Sequence, residues 1–217
     1  MNSIKAVIYD MDGIIIDSEP LWREAIIFTF NQVGLDFTEE KCRITQGMRL
    51  YEVVEYWHTK TPWTCKTIAE VEADLLKKIT ELISKKGTAM EGVNESLQYF
   101  KSKGFKIALA SSSAPSLINI ILKRLAIENE FEVINSAQNL SYGKPHPEIF
   151  IKTAQQLGIK PINCLVIEDS FHGILAAKSA LMKVIAIPYQ ENWNDHRFSI
   201  ADYQLKSLTE LSSLNFE

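Results

Sequence analysis

The feature that most constrains this chain is a rhythm that begins after Gly87. Short, mostly apolar segments alternate with stretches of helical spacing. VNESLQYFKSKG precedes KIALA (106–110), PSLINIILKRLA precedes EVIN (132–135), PEIFIKTAQQLG precedes CLVI (164–167), and FHGILAAKSA precedes KVIAI (183–187). Strands this short and apolar are buried on both faces, and strands joined by helices pair in parallel with the helices covering the sheet. IKAVIY (4–9) has the same composition and is expected in the same sheet. Between it and the alternating part, from about Ser18 to Lys86, the character is helical. PLWREAIIFTFNQVG, RLYEVVEYWHTK and TIAEVEADLLKKITELISKKG space their apolar residues for helices, with Gly34 and Gly87 as stops. The expected fold class is α/β. A Rossmann-like parallel-sheet core, residues 1–17 and 88–217, carries an inserted α-helical cap, residues 18–87.

Open parallel sheets bind ligands beyond the carboxyl ends of their strands, and in this chain those ends carry chemistry. VIYDMDG ends the first strand with Asp10 and Asp12. KIALA runs into Ser111, Ser112 and Ser113. EVIN is followed by GKPHP with Lys144, and CLVI by Glu168, Asp169 and Ser170. In extended backbone, residues two apart point the same way, so Asp10 and Asp12 share a side. Four carboxylates around one pocket repel unless a cation offsets them, and an all-oxygen set with room for phosphate suits Mg²⁺. A metal-bound aspartate stays ionised and can attack an electrophile. A neighbour held off the metal can carry a proton. Asp10 as nucleophile and Asp12 as general acid/base is a coherent division. Phosphorus is the matching electrophile: Lys144 neutralises its oxygens, while the Ser111 hydroxyl and the backbone N–H groups near Met11 and Ser112 donate to them.

Each signal alone has an ordinary reading. A lone DxD is commonly a solvated turn. The serines suit the start of the helix at Pro115, Ser170 suits a helix N-cap, and Lys144 suits the surface. His146 and His172 are expected in structural roles, and the aromatic residues of 22–63 in the core of the cap. A calcium loop does not fit DMDGIIIDSEPL, where glycine is fourth rather than sixth and Leu21 stands in place of the closing glutamate.

Composition narrows the setting. The 217 residues hold 23 Lys+Arg against 27 Asp+Glu, a net charge of −4, which gives no basic surface for nucleic acid or anionic membrane. Three cysteines without CxxC spacing read as reduced thiols. The first ten residues lack the apolar region of a signal peptide. A cytoplasmic protein is expected, acting as a monomer on a small-molecule phosphate ester.

The ordered set of motifs resembles the haloacid dehalogenase superfamily. DMDG matches its DxDG motif, ASSS its Ser/Thr motif, Lys144 in GKPHPEIF its lysine, and IEDSFHG its acidic motif, together spanning residues 4–187. The helical insertion is similar to the cap of the β-phosphoglucomutase-like branch. DSEPLW, GMR and YWHTKTPW within it are most similar to bacterial phosphatases of 2-deoxyglucose 6-phosphate and hexitol phosphates. The resemblance implies an aspartyl-phosphate on Asp10, acid/base work by Asp12, and Mg²⁺ held by Asp10, the Asp12 carbonyl, Asp169 and Glu168. It also implies phosphate held by Ser111, Ser112 and Lys144, and substrate faced by Glu19, Trp22 and Arg49. The mutases of that branch carry histidine where Trp22 stands, which argues for a phosphatase. A phosphosugar mutase, a phosphoglycolate phosphatase and a non-catalytic phosphosugar-binding module are the alternatives.

Overall fold

A computed structural model describes residues 3–214; the outermost ends of the expected core range, residues 1–2 and 215–217, lie outside the described residues. Six strands form one sheet: β1 (Ala6–Tyr9), β2 (Lys106–Ser111), β3 (Val133–Ser136), β4 (Cys164–Glu168), β5 (Lys183–Ala186) and β6 (Tyr203–Gln204). Their spatial order is β3-β2-β1-β4-β5-β6, and every pairing is parallel. The first strand thus sits in the middle, hydrogen-bonded to β2 on one side and β4 on the other. All four residues of β1 are fully buried, and they divide between two cores by the two-residue period of a strand. Val7 and Tyr9 pack on one face, Ala6 and Ile8 on the other.

Helices α5 (Val93–Ser102) and α6 (Pro115–Leu125) supply the first face with Leu97, Phe100, Leu117 and Ile121. Helices α7 (Glu148–Leu157) and α8 (Phe171–Ser179) supply the second with Phe150, Ala154, Ile174 and Ala177. Both faces are therefore covered, as the unbroken apolar strands require.

Four further helices lie between β1 and α5: α1 (Glu19–Asn31), α2 (Glu39–Ile44), α3 (Leu50–Lys60) and α4 (Ile68–Lys86). The aromatic residues hold them together. Phe30 stacks on Phe37 at 4.7 Å, and Trp57 and Trp63 meet that pair edge-on at 4.8 and 5.7 Å. The two connections to the sheet run side by side, with Asp17 N–H donating to the Thr88 carbonyl and Met90 N–H to that of Ile15.

The two glycine stops work in different ways. Gly34 takes a left-handed φ of +83°, three residues after α1 ends. Gly87, which ends α4, has an ordinary φ of −61°. It is needed for space, since a Cβ there would stand 2.8 Å from the Ile83 carbonyl and 3.0 Å from Ile16 Cδ1.

Candidate active site

Asp10 follows β1 directly, and its backbone N–H donates to the Ile167 carbonyl at 2.9 Å, so the sheet register fixes its position. Glu168 closes β4, and Asp169 follows it. Lys144 comes from the loop between β3 and α7. Its ammonium donates to Asp10 Oδ1 at 2.5 Å, Glu168 Oε1 at 2.5 Å and the Ala110 carbonyl at 3.3 Å. All four charged residues are buried. Asp10, Glu168 and Asp169 each offer an oxygen within 4.8 Å of the others. Residues separated by more than 130 positions thus meet beyond the carboxyl edge of the sheet.

Two glycines make room for this crowd. Gly13 has φ +76°, and a Cβ on it would lie 2.5 Å from Asp169 Oδ2. A Cβ on Gly173, in the first turn of α8, would lie 1.7 Å from Glu168 Oε1. Only hydrogen fits at either place. Gly173 carried a readable signal, because glycine inside a helix costs about 1 kcal/mol against alanine and so needs a reason.

Burial pushes the Asp10 carboxyl up to about 8; Lys144 opposes the shift, and Glu168 and Asp12 add to it. Burial, together with the charges of Glu168 and Asp10, also raises Asp169 well above the carboxylate range. Burial would lower the Lys144 ammonium, but Asp10 and Glu168 more than offset it and hold the group above the usual lysine range. Three carboxylates against one ammonium leave the cluster short of positive charge. An oxygen-only donor set with that shortfall fits a hard divalent cation.

The Asp12 carboxylate makes its hydrogen bonds outside this cluster. Its Oδ1 accepts from the Ser18 hydroxyl at 2.7 Å and from the Trp22 indole N–H at 2.8 Å, and its Oδ2 accepts from the Ser113 hydroxyl at 2.8 Å. Ser111 is fully buried at the end of β2, where its Oγ accepts from the Ser113 backbone N–H at 3.0 Å. The Ser112 hydroxyl donates to the Gly47 carbonyl at 2.9 Å. The N-cap of α6 is Ala114, with no serine side chain capping it. Ser170 does cap α8, accepting from Gly173 N–H while its hydroxyl donates to Glu168.

A cavity separates the strand ends from the four-helix insertion. Asp10, Asp12, Lys144 and Asp169 line one side, and Glu19 and Trp22 the other. Glu19 is mostly buried, and burial raises its carboxyl against the opposing charge of Arg23. Arg49 stands elsewhere. Its guanidinium donates to the Leu140 carbonyl at 2.8 Å and to Glu52 at 2.6 Å, in a neighbouring groove. The sequence reading had no role for Gln46, yet its amide donates to Asp169 Oδ2 at 3.1 Å. Ser18 likewise had none, and Ser113, expected at a helix start, instead donates to Asp12. His172 bonds the Gln46 carbonyl at 3.0 Å through Nδ1, and the His146 ring lies against Tyr142 at 4.6 Å.

The pattern that describes haloacid dehalogenase-like hydrolases matches residues 7–187. Hexitol phosphatase B of Escherichia coli (strain K12) is 36% identical over 213 residues, covering 98% of this chain and 96% of that protein. The β-phosphoglucomutase of Bacillus subtilis (strain 168) is 33% identical over 192 residues, 85% of this chain and 83% of its own length. The crystal structure of β-phosphoglucomutase from Clostridium difficile superposes with a TM-score of 0.82 at 28% identity, covering 96% of this chain and 93% of that one. The chain belongs to the haloacid dehalogenase-like hydrolase family.

Proposed function

We propose that this haloacid dehalogenase-like phosphatase hydrolyses small sugar or sugar-alcohol phosphates, with Mg²⁺, through an aspartyl-phosphate on Asp10. One observation carries the reading: Asp10, Glu168 and Asp169 converge with Lys144 in a buried cluster, while Asp12 beside them is held by hydrogen-bond donors. Mg²⁺ bound by Asp10, Asp169 and Glu168, with the Asp12 carbonyl, would keep the carboxylates ionised and neutralise charge on the phosphate oxygens. An Asp10 oxygen attacks phosphorus in line, and the bond to the substrate's oxygen breaks as Asp12 gives that oxygen its proton. Asp12 then takes a proton from water, the water oxygen bonds to phosphorus, and the Asp10–phosphorus bond breaks to release phosphate. Lys144 both orients Asp10 and balances the phosphoryl oxygens. Ser111, Ser112 and backbone N–H groups at the end of β2 supply further donors to phosphate. The insertion, residues 18–87, acts as the cap that covers the site.

The acceptor side of the cavity supports a polyol substrate. Glu19 presents a hydroxyl-binding carboxyl across the cavity from the carboxylate cluster, and the match to the relative named hexitol phosphatase B covers 98% of the chain. A mutase holds a bisphosphate, which requires cations at both ends of its cavity. In this chain Arg49 is spent on backbone carbonyls and Glu52, and Trp22 donates to Asp12.

Phosphate release from a panel of hexose, hexitol and glycolate phosphates, with and without Mg²⁺, tests the reading. Fast, Mg²⁺-dependent release from hexose or hexitol phosphates is expected. Preference for phosphoglycolate, or isomerisation of glucose 1-phosphate outrunning release by phosphorus NMR, would overturn the substrate assignment. Tight binding without turnover would overturn catalysis itself.

A further inference from the structure

The groove that holds Arg49 adjoins the cavity. Leu50 and Ser112 line both, so the two spaces are continuous. The groove runs between the insertion and the core. Tyr51 of α3 and Glu72 of α4 stand on the insertion side, and Gln138 and Asn139, just past β3, on the core side. The phosphoryl chemistry uses none of these four side chains.

Their groups suit a neutral, polyhydroxylated ring. Tyr51 is 44% exposed, which leaves much of its ring open. An aromatic ring gives a flat apolar surface with a negative face, and the C–H face of a sugar packs on such a surface. Gln138 and Asn139 are exposed. Each amide carries donors and an acceptor side by side, and a sugar hydroxyl likewise donates and accepts. Glu72, half-buried, adds a carboxylate that accepts.

The same groove is wrong for an anion. Among the described residues that line it, Arg49 is the one cation. Its guanidinium already donates to the Ala137 and Leu140 carbonyls and to Glu52. Glu72 brings a further negative charge. A second phosphate would meet no unspent positive group there, whereas neutral hydroxyls would meet both donors and acceptors.

We propose that this groove is a second sugar subsite, which makes disaccharide phosphates substrates. The phosphorylated unit sits in the cavity beside Asp10, and the next unit lies in the groove against Tyr51, Gln138 and Asn139. The inference rests on the phosphatase reading and extends its substrate class. The second unit contributes binding alone, since the bonds made and broken are those at phosphorus. Contacts made equally in the ground state and the transition state lower KM and leave kcat nearly unchanged.

The test compares glucose 6-phosphate with trehalose 6-phosphate and maltose 6′-phosphate, by phosphate release in Mg²⁺. In the parent protein at least one disaccharide phosphate should show a KM roughly 3- to 30-fold below that of glucose 6-phosphate, with kcat within about threefold. Tyr51→Ala should raise the KM of that disaccharide phosphate by roughly three- to tenfold, and the double change Gln138→Ala with Asn139→Ala by a similar roughly three- to tenfold factor. The constants for glucose 6-phosphate should stay within about twofold in both variants, because exposed side chains outside the cavity touch neither the cluster nor the first unit. No KM advantage for either disaccharide phosphate, or variant effects equal on the one-unit and two-unit substrates, would overturn the subsite. Failure of the phosphatase reading would look different, with the parent enzyme releasing no phosphate from glucose 6-phosphate or any other ester.

Discussion

The two sides of the cavity are built by different rules. On the core side, Asp10, Lys144, Glu168 and Asp169 are buried, paired within hydrogen-bond distance, and set by the register of a parallel sheet. On the other side, Glu19, Trp22, Arg23 and Gln46 project from helices and a loop, partly exposed, and spend many of their bonds on the core beneath them. Arg23 of α1 makes a two-pronged pair with Glu191 at 3.0 Å, and Arg43 joins the same carboxylate at 2.7 Å. The core side is a buried cluster whose charged groups bond one another. The opposite side rests on it through hydrogen bonds and ion pairs at its edge. Chemistry should therefore fail when the first is altered, and substrate handling should shift when the second is.

The largest effect should come from the core. Asp10→Asn should abolish turnover while leaving the melting profile cooperative, and Asp12→Asn should lower kcat by about 10²- to 10⁴-fold, the usual worth of an acid/base group. Steady-state kinetics beside circular dichroism checks both. Lys144→Ala should follow. It leaves Asp10 and Glu168 buried without their cation, a loss of about 3–5 kcal/mol in urea denaturation at pH 8. The loss should shrink at pH 5, where the carboxyls can protonate.

The parent protein without metal should show a related trend. Asp10, raised to about 8, and Asp169, raised well above its ordinary value, both titrate higher in the folded state than in the unfolded chain, so the folded state binds more protons above about pH 4, and Asp10 gives its proton up near pH 8. Stability from these groups is present at low pH and is lost as pH rises through their folded values. The metal-free protein should melt at least a few °C lower at pH 8 than at pH 5, a shift worth roughly 1 kcal/mol or more in a chain of this size. Added Mg²⁺ should raise the melting temperature more at pH 8. A melting temperature flat in pH and indifferent to Mg²⁺ would contradict the charge shortfall.

The smallest effect should come from the docked surface. Glu191→Gln weakens two partly exposed pairs, each worth only ~0–1 kcal/mol. It should leave the melting temperature nearly unchanged and raise KM by no more than a few-fold. A loss of kcat as large as that of Asp12→Asn would erase the distinction between the two sides.

What the sequence made legible follows the same division. The strands at 106–110, 164–167 and 183–187 each carry enough buried apolar residues to announce themselves, and the groups just past their ends can be read off once the sheet is inferred parallel. Helix α2, six residues with only Cys42 buried, is too short for a periodic signal. The two-residue β6 at the sheet's edge gives none either. The partners of Asp12 escaped for another reason. Ser113 meets it because β2 lies beside β1, a long-range fact, and Ser18 and the Trp22 N–H, though near in sequence, reach it through a turn whose path no periodic spacing announces. Arg49 is the mirror case: the resemblance implied a substrate contact, and no sequence spacing announced that its guanidinium bonds the Ala137 and Leu140 carbonyls.

The most direct test of the central claim is fluorine NMR of the protein with Mg²⁺ and beryllium trifluoride, a phosphoryl mimic that bonds to a carboxylate. The account predicts bound fluorine resonances in the parent protein that vanish in Asp10→Asn and on removal of Mg²⁺. The same bound resonances persisting in Asp10→Asn would place the phosphoryl acceptor elsewhere and contradict it.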